Sequence, residues 1–190
     1  MAWLLLQRLY LNLYTTSTDE CRDHRNFQGL LMPETESLKL ATTWDELPST
    51  LGRSFRSEYL RVDQDRVDGF EFGTYIDENV HAMDGDLYQP GLIEGFHLLG
   101  LFDHLANGVL YVEDPHWAGW NYGFDHVRFV SEVTTRDRIR LSGTVSAIEA
   151  RGHRYLATLD CILEVEGREK PGAVAIWKVM WTRTSEESNG

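Results

Sequence analysis

"LIEGFHLLGLFDHLANG", residues 92–108, is the stretch on which the fold turns. Leu92, Ile93, Phe96, Leu98, Leu99, Leu101, Phe102 and Leu105 leave it almost no polar face. A helix that is apolar nearly all round is a buried helix, so this one is expected at the centre of its domain. Pro90-Gly91 breaks the chain before it, and Asn107-Gly108 supplies a C-terminal stop.

What buries such a helix follows it in the chain. After Trp120 come "NYGFDHVRFVSEV", "DRIRLSGTVSAIEAR", "HRYLATLDCILEVEG" and "GAVAIWKVMWTRT", all with two-residue alternation. Short polar or glycine-containing turns join them: Thr134 to Arg136, Arg151-Gly152, and Gly167 to Gly172. In the third run Tyr155, Ala157, Leu159, Cys161, Leu163 and Val165 share a face; in the last, Ala173, Ala175, Trp177, Val179 and Trp181 do. This predicts an antiparallel meander with one buried face. The fold class is therefore α+β, a long antiparallel sheet wrapped around one buried helix, which is the hotdog architecture. Strands of this length leave edges to cover, so a homodimer is expected.

Ahead of the helix, "TWDELP" reads as a turn and "RSFRSEYLRV" (53–62) as a first strand. Asp63 offers an N-cap to "QDRVDGFEFGTYI", with Val67, Phe70 and Tyr75 as an apolar face that Gly69 and Gly73 weaken. Residues 43–184 are read as one domain, 1–42 as an extension outside the core and expected to be poorly ordered, and 185–190 as a tail. The opening "MAWLLLQRLYLNLY" is interrupted at Gln7-Arg8 and falls short of the roughly 20 apolar residues a bilayer span needs. No cleavage site follows it, so no membrane association and a cytoplasmic location are expected.

A formal charge of −12 argues against nucleic acid, whose binding requires a basic stripe. Cys21 and Cys161 stand far apart without metal-type spacing. There is no GxSxG, Walker loop, HExxH or well-placed dinucleotide fingerprint, which removes serine hydrolases, NTPases and zincins.

From Thr43 to Thr182 the order of signals resembles the MaoC-like hydratase/dehydratase family, including its NodN-like members. Trp44-Asp45-Glu46-Leu47 matches the family's opening turn, and "DQDRVDGF" its short helix. "DENVH" stands at its Asp-x-Asn-Pro-x-His loop, Glu94-Gly95 at the His-Gly of its Gly-x-(I/V)-x-His-Gly, and "NYGFDHVRFVSEV" at its most characteristic strand. The resemblance implies reversible addition of water to a trans-2-enoyl thioester of coenzyme A or an acyl carrier protein, giving the (R)-3-hydroxyacyl product. It further implies that a loop Asp and His hold the water, that a backbone N–H at the start of the central helix takes the thioester oxygen, and that no cofactor or metal is needed.

Carried over by position, the catalytic pair is Asp77 and His81, with Gly95 and Glu94 at the oxyanion and substrate end. Asn79 shapes the loop. An Asp/His pair suits the chemistry because a histidine near its ordinary pKa can both take and give a proton at neutral pH. The chain also departs from the pattern. His81 follows Asp77 by four residues rather than five, and counting without a gap puts Ile76 on the family's Asp. Glu94 replaces the family's His, and Asp103 stands at a position often held by a small hydroxyl residue. A thioesterase on the same fold and a non-catalytic acyl-binding or scaffold subunit are the alternatives.

Three further features are weighed. Trp117, Trp120 and Tyr122 are a possible pocket wall or sheet-end packing. Glu94, His97 and His104 share one helical stripe, read as a polar seam or a satisfied network rather than a metal site. Arg136, Arg138 and Arg140 form a basic patch able to dock an acidic carrier.

Overall fold

The computed structural model describes residues 37–78 and 89–183. His81 and Asn79 lie outside the described residues. In order, the elements are β1 (Leu40–Thr42), a 3-10 turn (Leu47–Thr50), β2 (Ser54–Arg56), α1 (Gln64–Gly73), α2 (Gly95–Asn107), β3 (Leu110–Val112), β4 (Trp117–Phe129), β5 (Ile139–Arg151), β6 (Arg154–Val165) and β7 (Ala173–Arg183).

The antiparallel sheet has the order β2-β5-β6-β7-β4. β5, β6 and β7 form the expected meander, and Gly152, at φ +63°, opens the two-residue turn between β5 and β6. β4 does not pair with its neighbour in sequence. It crosses the domain and lies against β7, with Asn121 opposite Val179 and Val127 opposite Ala175. The segment at Thr134 to Arg136 is thus part of a crossover, not a hairpin turn. β4 begins at Trp117, earlier than the alternation suggested.

The extension contributes more than its sequence promises. Leu38 bridges Arg56 with paired 2.9 Å backbone hydrogen bonds, and β1 runs parallel to β3 with Leu40 opposite Leu110. Leu40 is fully buried, so the core reaches back into a segment whose pattern carries no period.

One face of the sheet packs on α2. Phe102 is inaccessible to solvent and meets Phe124 and Trp177 edge-on, each at 6.0 Å between ring centres. α2 is nonetheless buried on one face only. His97, Leu98, Phe102, Leu105 and Ala106 face inward, while Phe96 is 74% exposed. In α1, Val67 is buried and Phe70 half-buried; Tyr75 has left the helix, in a left-handed conformation at φ +60°, and is exposed. Asp63 occupies the N-cap position without a side-chain cap hydrogen bond.

Candidate active site

The start of α2 is held by the β4–β5 crossover. Ile93 N–H donates to Val133 O at 2.8 Å, and Thr135 N–H donates to Gly91 O at 2.8 Å. Gly91 sits at φ +76°, and a Cβ there would lie 2.4 Å from Thr135 Oγ1, so this junction admits only glycine. The crossover is itself braced, because Asp137 Oδ2 accepts from the Thr134 N–H at 2.8 Å.

Glu94 is the N-cap residue of α2, but its side chain makes no cap hydrogen bond. The N–H groups of Gly95, Phe96 and His97 donate to no backbone acceptor among the described residues. Three free donors at the positive end of a helix form a binding place for an oxygen carrying negative charge. The missing side chain at Gly95 has a second explanation. A Cβ there would come within 2.6 Å of the Phe129 ring, so the glycine also lets the end of β4 lie against α2.

Asp77 is an exposed turn residue just after α1. Its link to the helix start runs through Glu71, which sequence reasoning passed over. Partial burial raises the Glu71 carboxyl above the ordinary range, and the charges of Glu94, Asp68 and Asp77 add to the shift. Burial likewise raises the Glu94 carboxyl. The end of α1, the loop after it and the start of α2 therefore gather carboxylates that resist ionising together. Nothing in the local pattern flagged Glu71; it is one of several charged residues on a short helix.

His97 is 8% exposed, its ring is stacked on Phe70 at 4.6 Å, and its Nδ1 has no hydrogen-bond partner among the described residues. Desolvation lowers its pKa from the ordinary value of 6.5, which keeps the imidazole neutral. A buried polar atom left unpaired costs about 1–3 kcal/mol, so His97 is not part of the satisfied network anticipated for its stripe. It lines a cleft of ≈ 580 Å³ between α1 and α2, together with Arg61, Asp63, Arg66, Phe70 and His104.

The aromatic wall is elsewhere. Trp117 borders a cavity of only ≈ 30 Å³ beside Trp177 and Trp181. Trp120 and Tyr122 sit under the guanidiniums of Arg154 and Arg151, at 5.4 and 5.9 Å. None of the three lines the α1–α2 cleft. Nor is the basic patch free: Arg138 pairs with Glu166 at 2.8 Å, and Arg140, buried, pairs with Glu164 at 2.7 Å. No group of three His, Cys, Asp or Glu side chains suited to a metal occurs among the described residues, and no helix among them is long and apolar enough to cross a membrane.

Among solved structures, a MaoC-like dehydratase from Rhodospirillum rubrum superposes with a TM-score of 0.56, covering 75% of this chain and 98% of that one at 16% identity. No protein-family model matches the chain. In sequence it is 29% identical over 139 residues to nodulation protein N of Rhizobium leguminosarum bv. viciae, covering 70% of this chain and 86% of that protein. It is also 29% identical over 119 residues to 3-hydroxyacyl-thioester dehydratase Z of Mycobacterium tuberculosis (strain ATCC 25618 / H37Rv), covering 62% and 68% respectively. The chain thus shares the fold of a MaoC-like dehydratase, the hotdog fold, and is similar in sequence to nodulation protein N and to a 3-hydroxyacyl-thioester dehydratase.

Proposed function

We propose that the protein is a hydro-lyase that adds water to, or removes it from, a 2-enoyl / (R)-3-hydroxyacyl thioester. The observation that carries this reading is the free first turn of α2, held by the crossover beside the Asp77 segment. Addition of water pushes electron density onto the thioester oxygen, and pre-placed N–H donors lower that barrier without reorganising. Asp77 and His81 hold the water. Glu94, whose carboxyl burial shifts upward, and Glu71 beside it stand at the same helix start, where Glu94 replaces the family's His. The step needs neither metal nor organic cofactor. The thioester is carried by coenzyme A or an acyl carrier protein in the cytoplasm.

Two copies pair along the free edge of β4, where Trp120, Tyr122, Phe129 and Val130 are exposed, and light scattering at twice the chain mass tests this. Glu94 also favours a second reading, a thioesterase, because an uncapped carboxylate stands where a thioester carbonyl would bind. Incubation with trans-2-enoyl-CoA esters, read by mass spectrometry, separates the two. A gain of water supports the hydro-lyase, and free CoA without adduct supports the thioesterase. Neither product at any chain length would leave a non-catalytic acyl-binding subunit.

A further inference from the structure

We propose that the cleft between α1 and α2 binds an anionic group of the ligand, a carboxylate or a phosphate, through Arg61 and Arg66, while His97, nearer the first turn of α2, meets another polar atom of the same ligand. The proposal deepens the hydro-lyase reading and rests on it for the direction in which the ligand lies.

The cleft has the volume of a small-molecule site, ≈ 580 Å³. In a chain of formal charge −12 it is bordered by two guanidiniums against one carboxylate, Asp63. Neither Arg61 nor Arg66 makes an ion pair among the described residues, whereas Arg138, Arg140, Arg151, Arg168 and Arg183 each pair with a carboxylate. Planar guanidiniums left open in a cleft are suited to bidentate capture of a carboxylate or phosphate.

His97 is the second, independent observation. It lines the same cleft, is more than nine-tenths buried, and has an Nδ1 without a partner among the described residues. The stack on Phe70 holds the ring in place, so an oxygen of the ligand is the partner that satisfies it.

The order of groups along the cleft gives the ligand a direction. The end of α1 lies beside the start of α2, through Glu71 and Glu94, and Phe70 stacks on His97. Arg66 is one turn back along α1 and Arg61 precedes the helix, so both lie away from the first turn of α2. His97 and His104, seven residues apart, span about 10 Å of cleft. A thioester held at Gly95 thus directs its acyl chain toward the arginines, and an acid at the far end meets them.

The test compares trans-2-octenoyl-CoA with trans-2-octenedioyl-CoA, the same chain ending in a carboxylate, and the saturated octanoyl- and octanedioyl-CoA for calorimetric binding. Wild-type protein is expected to favour the acid-ended member by about tenfold, and Arg61→Gln/Arg66→Gln to bind the two members equally. Both arginines are exposed, and an unchanged melting curve checks that the variant folds. The pantetheine thioesters, which lack phosphate, identify the source of the anion. A preference retained in them assigns it to the acyl chain, and arginine dependence seen only with CoA, for both chains, assigns it to the carrier phosphate. Binding of every ligand by the double variant as by wild type overturns the proposal. Arginine-dependent binding without hydration would sink the hydro-lyase reading alone, and hydration without arginine dependence would sink this proposal alone.

Discussion

The β6–β7 pair and the α1–α2 pair face the same interior and are finished in opposite ways. Along the strands Ala157 meets Val179, Leu159 meets Trp177, Cys161 meets Ala175 and Leu163 meets Ala173, all buried. The polar atoms there are provided for: the Trp177 indole N–H donates to Asn121 Oδ1 at 2.9 Å, and burial pushes the Cys161 thiol far above its ordinary pKa, leaving it inert. Between the helices, among the described residues, His97 Nδ1 has no hydrogen-bond partner and the first N–H groups of α2 donate to no backbone acceptor. Stability is concentrated where polar groups are satisfied, and binding capacity where they are not.

Substitutions can break this contrast, beginning with the core. Phe102→Ala is expected to cost about 3–5 kcal/mol in urea unfolding, whereas Phe96→Ala, six residues earlier on the same helix, should stay within about 0.5 kcal/mol. Similar losses at the two positions would mean that the outward face of α2 is covered after all.

Gly95→Ala sets a Cβ against the Phe129 ring and should cost about 1–3 kcal/mol. Because Phe129 is half-exposed, Phe129→Ala should recover most of that loss, so the double variant is predicted to be less destabilised than the sum of the singles. Strict additivity would show that the two do not meet.

His97 sharpens the comparison through pH. Its folded-state pKa is lowered by desolvation, so below about pH 6.5 the unfolded chain binds a proton that the folded chain refuses. Stability attributable to this group is therefore present above that pH and lost as pH falls from it toward the lowered folded value. Chemical unfolding of wild type and His97→Phe between pH 7.5 and 5 should show the slope reduced in the variant. The smallest effect is expected at the exposed Arg138–Glu166 pair, where Arg138→Ala should change stability by no more than about 1 kcal/mol.

Much of the scaffold was legible because it is periodic. Two-residue alternation identified the buried faces of β6 and β7 residue by residue, and the apolar run placed α2 to within a few positions. Pairing was not legible: alternation says which side of β4 is apolar and nothing about whether β5 or β7 lies beside it. β1 has three residues, too few for a period, and its burial depends on β3 far along the chain. At the site, resemblance put forward Gly95, Glu94 and Asp77 by their place in the chain. The cleft arginines, Glu71 and the orphaned Nδ1 of His97 acquire meaning only when two helices meet, so spacing along one chain could not reveal them. The aromatic residues of β4 stayed open to two readings, since composition does not disclose which face of a strand they take.

The central claim is that water is handled by the segment after α1 and the thioester by the first turn of α2. The most direct measurement is the hydration rate of a trans-2-enoyl-CoA by wild type, Asp77→Asn and His81→Gln, with melting curves alongside. The account predicts losses of about 10²–10⁴-fold in both variants at unchanged melting temperature. Rates within a few-fold of wild type in either variant would contradict it.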